Sequence, residues 1–443
     1  MAALGTIVGH SSAVADMLVG SSHLSVVLDS LCSESKPHRK ASLFVIKNLA
    51  KLGDHYASIV LADSRALPGI LTAMADSDTA VKESAVWALG YIVKQSPALA
   101  TSAIEAGCLP IIRQFLEGKE VLPLRRISIS LLGDVAKHSE QHADHILQLD
   151  LVSLLLDFTN HDDMGMRKQS TACLSQLLKH SLPQASQVSS CSQFHPTVNR
   201  LLKDPNDTVR RNACIILRDL CEKDLRLSTD VVEAGTVPSL GTLVIESSHE
   251  DEKLAAISCL GHIASHSPTL AKTLITSNLV PSLCNDLINT SSESIRLKLI
   301  WCLGEVGKHN NDNCKSLNDH GLLTRLLALS IHANSSEELR SAAKGAFGKI
   351  VENTTDCQVL ESLLKDVPTD LQTTVLHQLA KILPNNMEAK KQFVQSGSLQ
   401  RVIAMHAKGD ESIQKSIGEI QACFPTEILE FFKPSHVSLS HAE

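Results

Sequence analysis

Apolar residues fall into short helical stripes separated by polar breaks, and the clearest example runs from Ser96 to Ser139. Ser96-Pro97 reads as a cap residue followed by proline in the first helical turn, where the missing N–H has no partner to lose. Gly107 can leave a helix with positive φ, which predicts a short first helix. Leu109, Ile111, Ile112, Phe115 and Leu116 stripe a second helix that Gly118 closes. Ile127, Leu131, Leu132 and Val135 stripe a third, ending at Lys137-His138-Ser139.

This three-helix pattern recurs. Trp87-Ala88-Leu89-Gly90-Tyr91-Ile92 returns as Ser130-Leu131-Leu132-Gly133-Asp134-Val135, as Ser258-Cys259-Leu260-Gly261-His262-Ile263 and as Trp301-Cys302-Leu303-Gly304-Glu305-Val306. With the glycine position as a ruler the series is Gly5, Lys47, Gly90, Gly133, Ser175, Arg218, Gly261, Gly304 and Gly348, a step of 42–44 residues. A helical period of this length marks armadillo or HEAT arrays, and three helices per repeat favour armadillo. The expected fold is all-α, a right-handed armadillo-repeat α-solenoid of three-helix units with a 42–44-residue period. Residues 1–380 would form an array of eight to nine repeats with the first incomplete, 381–425 a degenerate capping unit, and 426–443 a tail. Residues 180–201, rich in Ser and Gln, are expected to be the most irregular stretch. Met1 to Ile7 already read as part of a third helix, so upstream residues or a partner are expected to cover its apolar face.

A glycine inside a helix costs about 1 kcal/mol against alanine. Its recurrence after the leucine of the third helix predicts that a neighbouring helix approaches there. Polar loops such as 76–79, 206–208 and 291–294 are expected to cap the third helices.

Composition narrows the function classes. A net charge of −7 gives no general basic field, which argues against phosphate-driven nucleic-acid binding. With 3% aromatic residues the core must be Leu, Ile, Val and Ala. The twelve cysteines form no paired CxxC motif, and Cys173, Cys214, Cys259 and Cys302 recur at the repeat spacing, as small core residues of a reducing compartment would. No apolar run is long enough to span a membrane and no secretory signal is visible, so a soluble intracellular protein is expected, in the cytoplasm. His138, His180, His266 and His309 sit one per repeat at helix ends; the reading as carbonyl-facing helix-terminal residues is preferred to metal ligation, because stacked helices lie about 10 Å apart. No GxxxxGK[ST], HExxH or nucleophile elbow occurs, so no enzyme, cofactor or small-molecule substrate is expected.

Two rows of residues are candidate contact surfaces. The position four residues after the Trp87 slot reads Asn48, Tyr91, Asp134, Gln176, Asp219, His262, Glu305 and Lys349, and is expected to face outward into a mildly acidic concave groove. Basic residues heading the third helices, Lys82, Arg125, Arg126, Arg167, Lys168, Arg210, Arg211, Arg296 and Arg340, would either cap loops in solvent or stack into a basic ridge. Phe431 and Phe432 either pack back on the last helices or dock on a partner.

The tail adds something the repeats alone do not. Lys381-Ile382-Leu383-Pro384, the run AKKQFVQSG at 389–397 and CFPTEILEFFKP at 423–434 resemble the C-terminus of the sperm-associated antigen six family. The resemblance continues upstream through AVKESAVWAL at 80–89 and AKHS at 136–139. That resemblance implies a non-enzymatic armadillo scaffold of the central apparatus of motile cilia and flagella. It implies residence in the axoneme as part of the cytoskeleton, binding to tubulin of the central-pair microtubules and to other central-apparatus proteins, and a need for the protein in motility. Relatives of this kind begin further upstream, which leaves N-terminal contacts open. Head-to-tail self-association through an open heterologous contact is a further expectation. The competing reading is a soluble adaptor or transport receptor that binds client peptides in its groove. Nuclear-import adaptors clamp basic peptides with ladders of Trp and Asn, whereas Trp stands here at only Trp87 and Trp301 and Asn at Asn48.

Overall fold

A computed structural model of the chain describes residues 1–332, 334–365, 367–405 and 411–432. The chain divides into two compact parts, Met1–Ala234 and Gly235–Glu443. Each is built from helices alone among the described residues.

The repeat at 96–139 follows the reading of its residues closely. Its helices are Pro97–Glu105, Cys108–Glu117 and Leu122–Ala136. Pro97 stands in the first turn behind Ser96, and Gly107 joins the first two helices with φ of 89°. Gly235, Gly321 and Gly397 repeat that left-handed geometry at the same junction, and Asp150 and Asn278 adopt it without being glycine. A short polar side chain tolerates this conformation better than a branched one does.

In the N-terminal part the third helices are Ala2–Val8, Lys36–Lys51, Thr79–Val93, Leu122–Ala136, Met164–Leu178 and Asp207–Lys223, each packed on the next. In the C-terminal part they are Glu250–His266, Glu293–Gly307, Glu337–Val351, Thr369–Ile382 and Glu411–Gln421, again in series. Each inner helix lies between a third helix on either side and the shorter helices of its own repeat. That position explains why Val81, Ala85, Val86, Ala88, Leu89, Ile92 and Val93 of a single helix are all buried. Aspartate, asparagine and serine start these helices as the polar loops predict: Asp78, Asn206 and Ser292 each accept a backbone N–H of the first turn.

The loss of the regular step after Gly348 has a structural reason. The repeat at 352–382 has two helices among its described residues, Cys357–Leu363 and Thr369–Ile382, instead of three. Three return in Met387–Gln395, Ser398–Met405 and Glu411–Gln421, so the departure from the three-helix pattern falls one repeat earlier than the expected capping unit at 381–425. The irregular stretch 180–201 still forms Leu182–Ser189 and Phe194–Leu201, anchored by a fully buried Phe194. The helix Thr426–Phe432 follows, and the expected tail beyond it, from Lys433 on, lies outside the described residues.

All twelve cysteines are free thiols, and Cys173, Cys214, Cys259 and Cys302 are buried as the repeat spacing suggests. Burial pushes the Cys173 and Cys302 thiols up to about 12, so neither is a nucleophile at neutral pH.

The glycines of the third helices divide into two groups. A Cβ on Gly133 would lie 3.4 Å from the Cα of Cys173, one on Gly304 would lie 3.1 Å from the Cβ of Ala346, and one on Gly261 would strike the Trp301 ring. A Cβ on Gly5 would strike the Phe44 ring, whereas at Gly90, and at Gly348 behind Phe347, the space is open, so the expected close approach holds at four of the five glycines that follow the leucine.

Candidate functional site

The eight positions of the expected groove row do not share one environment. Asn48, Asp219 and Glu305 are buried, with 5–8% of their surface exposed, so at these three the side chain turns between neighbouring helices and not outward. The cause is pairing. Asn48 donates from Nδ2 to the Gly5 carbonyl of the preceding third helix at 3.0 Å. Asp219 accepts the Arg218 guanidinium at 2.6 Å, although burial still holds its carboxyl above the usual range. Glu305 binds Lys308 and, at 2.7 Å, Lys349 of the next repeat. Burial pushes the Glu305 carboxyl up, but the two ammonium groups together outweigh it and hold it below its ordinary value. Asp134 pairs with Lys137 at 3.3 Å, so all three acids of the row carry a cation partner and the acidic groove is largely neutralised. Gln176 donates to Ser175 Oγ within its own helix. His262 meets the Trp301 ring edge-on.

Tyr91 is different. Its ring stacks on Trp87 with centroids 6.1 Å apart, and Trp87 is 44% exposed. With Gly90 providing no side chain, the pair opens a cleft of about 80 Å³ bounded across the helix pair by Ser130, Leu131 and Asp134.

The basic residues heading the third helices fold back instead of projecting. Arg167 donates to the His161 and Asp162 carbonyls and pairs with Asp204 of the next repeat at 2.7 Å. Arg39, in the same slot but not singled out from the sequence, makes the matching set with the Ser33 and Glu34 carbonyls and Asp76. Lys82 pairs with Glu120 at 2.7 Å and sits over the Phe115 ring. Arg125 donates to the Leu116 carbonyl and lies over Phe158, while Arg126 reaches Asp163 at 3.9 Å. Arg210 donates to the Asp204 and Pro205 carbonyls. Arg296 donates to the Thr290 carbonyl. Lys168, Arg211 and Arg340 are half-buried. The row acts chiefly as a set of staples between the loop before each third helix and the following repeat.

A second row of staples runs along the far ends of the same helices. His138 Nε2 donates to the Val93 carbonyl at 2.6 Å, His180 to Ala136 at 2.7 Å and His309 to Ala264 at 2.7 Å. A carbonyl only accepts, so the proton sits on Nε2 in each. Gln95, Lys223 and Asn353 make the same bond to Ala50, Lys179 and Lys308. The helix-end reading holds for His138, His180 and His309, with the carbonyl supplied by the preceding repeat. Among the described residues no cluster of three His, Cys, Asp or Glu is placed to hold a metal. No single helix among them is long and apolar enough to cross a membrane.

Phe431 is 82% exposed and Phe432 half-buried, their rings edge-to-face at 5.1 Å. Packing back on the last helices is thus overturned for Phe431.

Three-helix repeats stacked through their third helices define an all-α solenoid of the armadillo type. The HEAT repeat family model matches residues 66–96 and 196–223, which are second and third helices without the short first one. The chain is similar to sperm-associated antigen 6 of Homo sapiens and of Mus musculus, 33% identical to each over 111 residues. The match takes in 25% of this chain and 22% of each relative, so it spans about a fifth of those relatives' length. Among solved structures, the fold matches an engineered protein at TM-score 0.73 and 16% identity, over 90% of this chain and 98% of the other. It also matches a designed armadillo repeat protein in complex with the peptide (KR)4, at TM-score 0.51 and 19% identity, over 55% of this chain and 99% of the other.

Proposed function

We propose that the protein is a structural scaffold of the central apparatus of the motile cilium or flagellum, holding central-pair microtubules and associated proteins and needed for beating. The observation that carries this reading is the 111-residue similarity to sperm-associated antigen 6, within a chain built of stacked helical repeats. The thiols of Cys108, Cys173 and Cys302 are pushed up to about 12 by burial. Fractionation of flagella into membrane-plus-matrix and axoneme, followed by salt extraction of the axoneme, tests the proposal. The expected result is retention in the axoneme and loss together with the central pair. Recovery in the soluble fraction would overturn it.

One observation favours a second reading, a peptide-binding adaptor: the Trp87–Tyr91 stack over the cleft at Gly90. On that reading Trp87→Ala weakens capture of a partner peptide while leaving the helical content unchanged by circular dichroism.

A further inference from the structure

The slot occupied by Arg39, Lys82, Arg125, Arg167, Arg210, Lys253 and Arg296 heads successive third helices, and the repeats differ in how the cation is answered. Arg39 meets Asp76, Lys82 meets Glu120, and Arg167 meets Asp204, each acid lying 37–38 residues downstream at the loop of the next repeat. Arg125 instead lies 4.5 Å over the Phe158 ring, 33 residues downstream. Arg296 has neither. In the sequence the residues 37 and 38 downstream are alanine and asparagine, and the residue 33 downstream is leucine. Among the described residues Arg296 keeps one bond, to the Thr290 carbonyl, and its Nε is buried without a partner.

A cavity of about 410 Å³ opens beside this guanidinium, within the range of ligand pockets. It lies in the C-terminal part, between the helices Val280–Asn289 and Leu322–Ile331 and the starts of Glu293–Gly307 and Glu337–Val351. Arg325 adds a second guanidinium, half anchored on the Cys284 carbonyl. Glu293 is also at the rim, but its carboxylate is engaged by the Ser336 hydroxyl. Leu287, Ile288 and Leu329 supply an apolar wall, with Ile288 54% exposed.

We infer that this cavity takes an acidic side chain from a partner protein, a Glu or Asp beside an apolar residue, which supplies from outside the carboxylate that other repeats supply from within. Two guanidiniums against one engaged carboxylate leave a positive site, and a carboxylate placed there would meet the planar fork that binds it best. The apolar wall takes the neighbouring residue and sets a peptide apart from a free acid.

The full-length chain is titrated at near-physiological salt with a labelled Gly/Ser peptide, blocked at both ends, carrying a central Leu-Glu pair; the control replaces that Glu by Gln. Anisotropy should show the Glu peptide binding at least tenfold tighter, and Arg296→Met should abolish the difference. Equal binding of the two peptides, or undiminished binding by a folded Arg296→Met protein, overturns the inference. A second variant, Asn334→Asp, places an internal acid 38 residues downstream of Arg296, the Lys82–Glu120 spacing, and guards against a folding failure of the first. It should raise Tm and block the peptide, and retained binding by it overturns the inference as well. If N-acetylglutamate competes as strongly as the peptide, the site takes a small acid and the peptide occupant is wrong. None of these outcomes depends on where in the cell the protein resides, so this site and the axonemal proposal fail separately.

Discussion

Removing the Asp204 carboxylate would strand the Arg167 guanidinium, since 4% and 14% of these two side chains are exposed. Loss of one partner of such a buried pair costs about 3–5 kcal/mol, so Asp204→Ala should move the urea midpoint far more than Glu117→Ala. Glu117 pairs with Arg113 on an open helix face, and an exposed pair of that kind contributes about 0.3–0.5 kcal/mol. His142 gives a pH signature. Its ring nitrogens bond Ser139 and Thr101, it is 6% exposed, and burial lowers its pKa. The unfolded chain therefore takes up its proton first as pH falls. The stability this group contributes is complete above the unfolded value of about 6.5 and is lost as pH drops through the lower folded value. Between pH 7.5 and 5.5 thermal melts of wild type should lose more Tm than those of His142→Gln. The sequence exposed the basic slot and the helix-end histidines as columns, because each needs only the repeat period to be seen. What each column touches was hidden, since partners 37–45 residues away depend on how neighbouring repeats are set against each other. For the same reason the groove row mixes buried Asn48, Asp219 and Glu305 with exposed Lys349.

Third helices recur with a glycine, yet the reason differs from copy to copy. Where nothing lies within 4 Å, as at Gly90, alanine adds helix propensity without a clash, and Gly90→Ala should stabilise by about 0.5–1 kcal/mol. At Gly261 the same change drives the new methyl into the Trp301 ring and should lower Tm, with Trp301 fluorescence shifting as the ring is displaced. A matched pair of denaturation curves decides the point; equal responses would show that neighbouring helices do not discriminate the two sites. The helix count of a repeat and the left turn at Gly107 were legible because capping, proline and glycine act locally. The two-helix repeat at 352–382 was visible only as a lost step, since periodicity shows where a pattern stops without showing which helix is missing.

At the scale of the whole molecule, stability in a repeat array is the sum of repeat terms and nearest-neighbour interfaces. The repeat at 352–382, short of one helix, should be the first in the C-terminal part to open, and amide exchange of 357–363 should outpace that of the corresponding first helix Asn311–Asn318. Uniform protection across both would refute this. The helix-end bonds of Gln95, His138, His180 and Lys223 in one part, and of His309 and Asn353 in the other, have a consequence of a mechanical kind. Stacked apolar helices alone resist separation but slide with little penalty, because dispersion contacts are non-directional. A directional bond at the end of each layer adds resistance to that sliding, so neighbouring layers behave less like a greased deck of cards and more like a laminate with stitched edges. Such a material keeps its shape under repeated shear, and its stiffness can be tuned one stitch at a time.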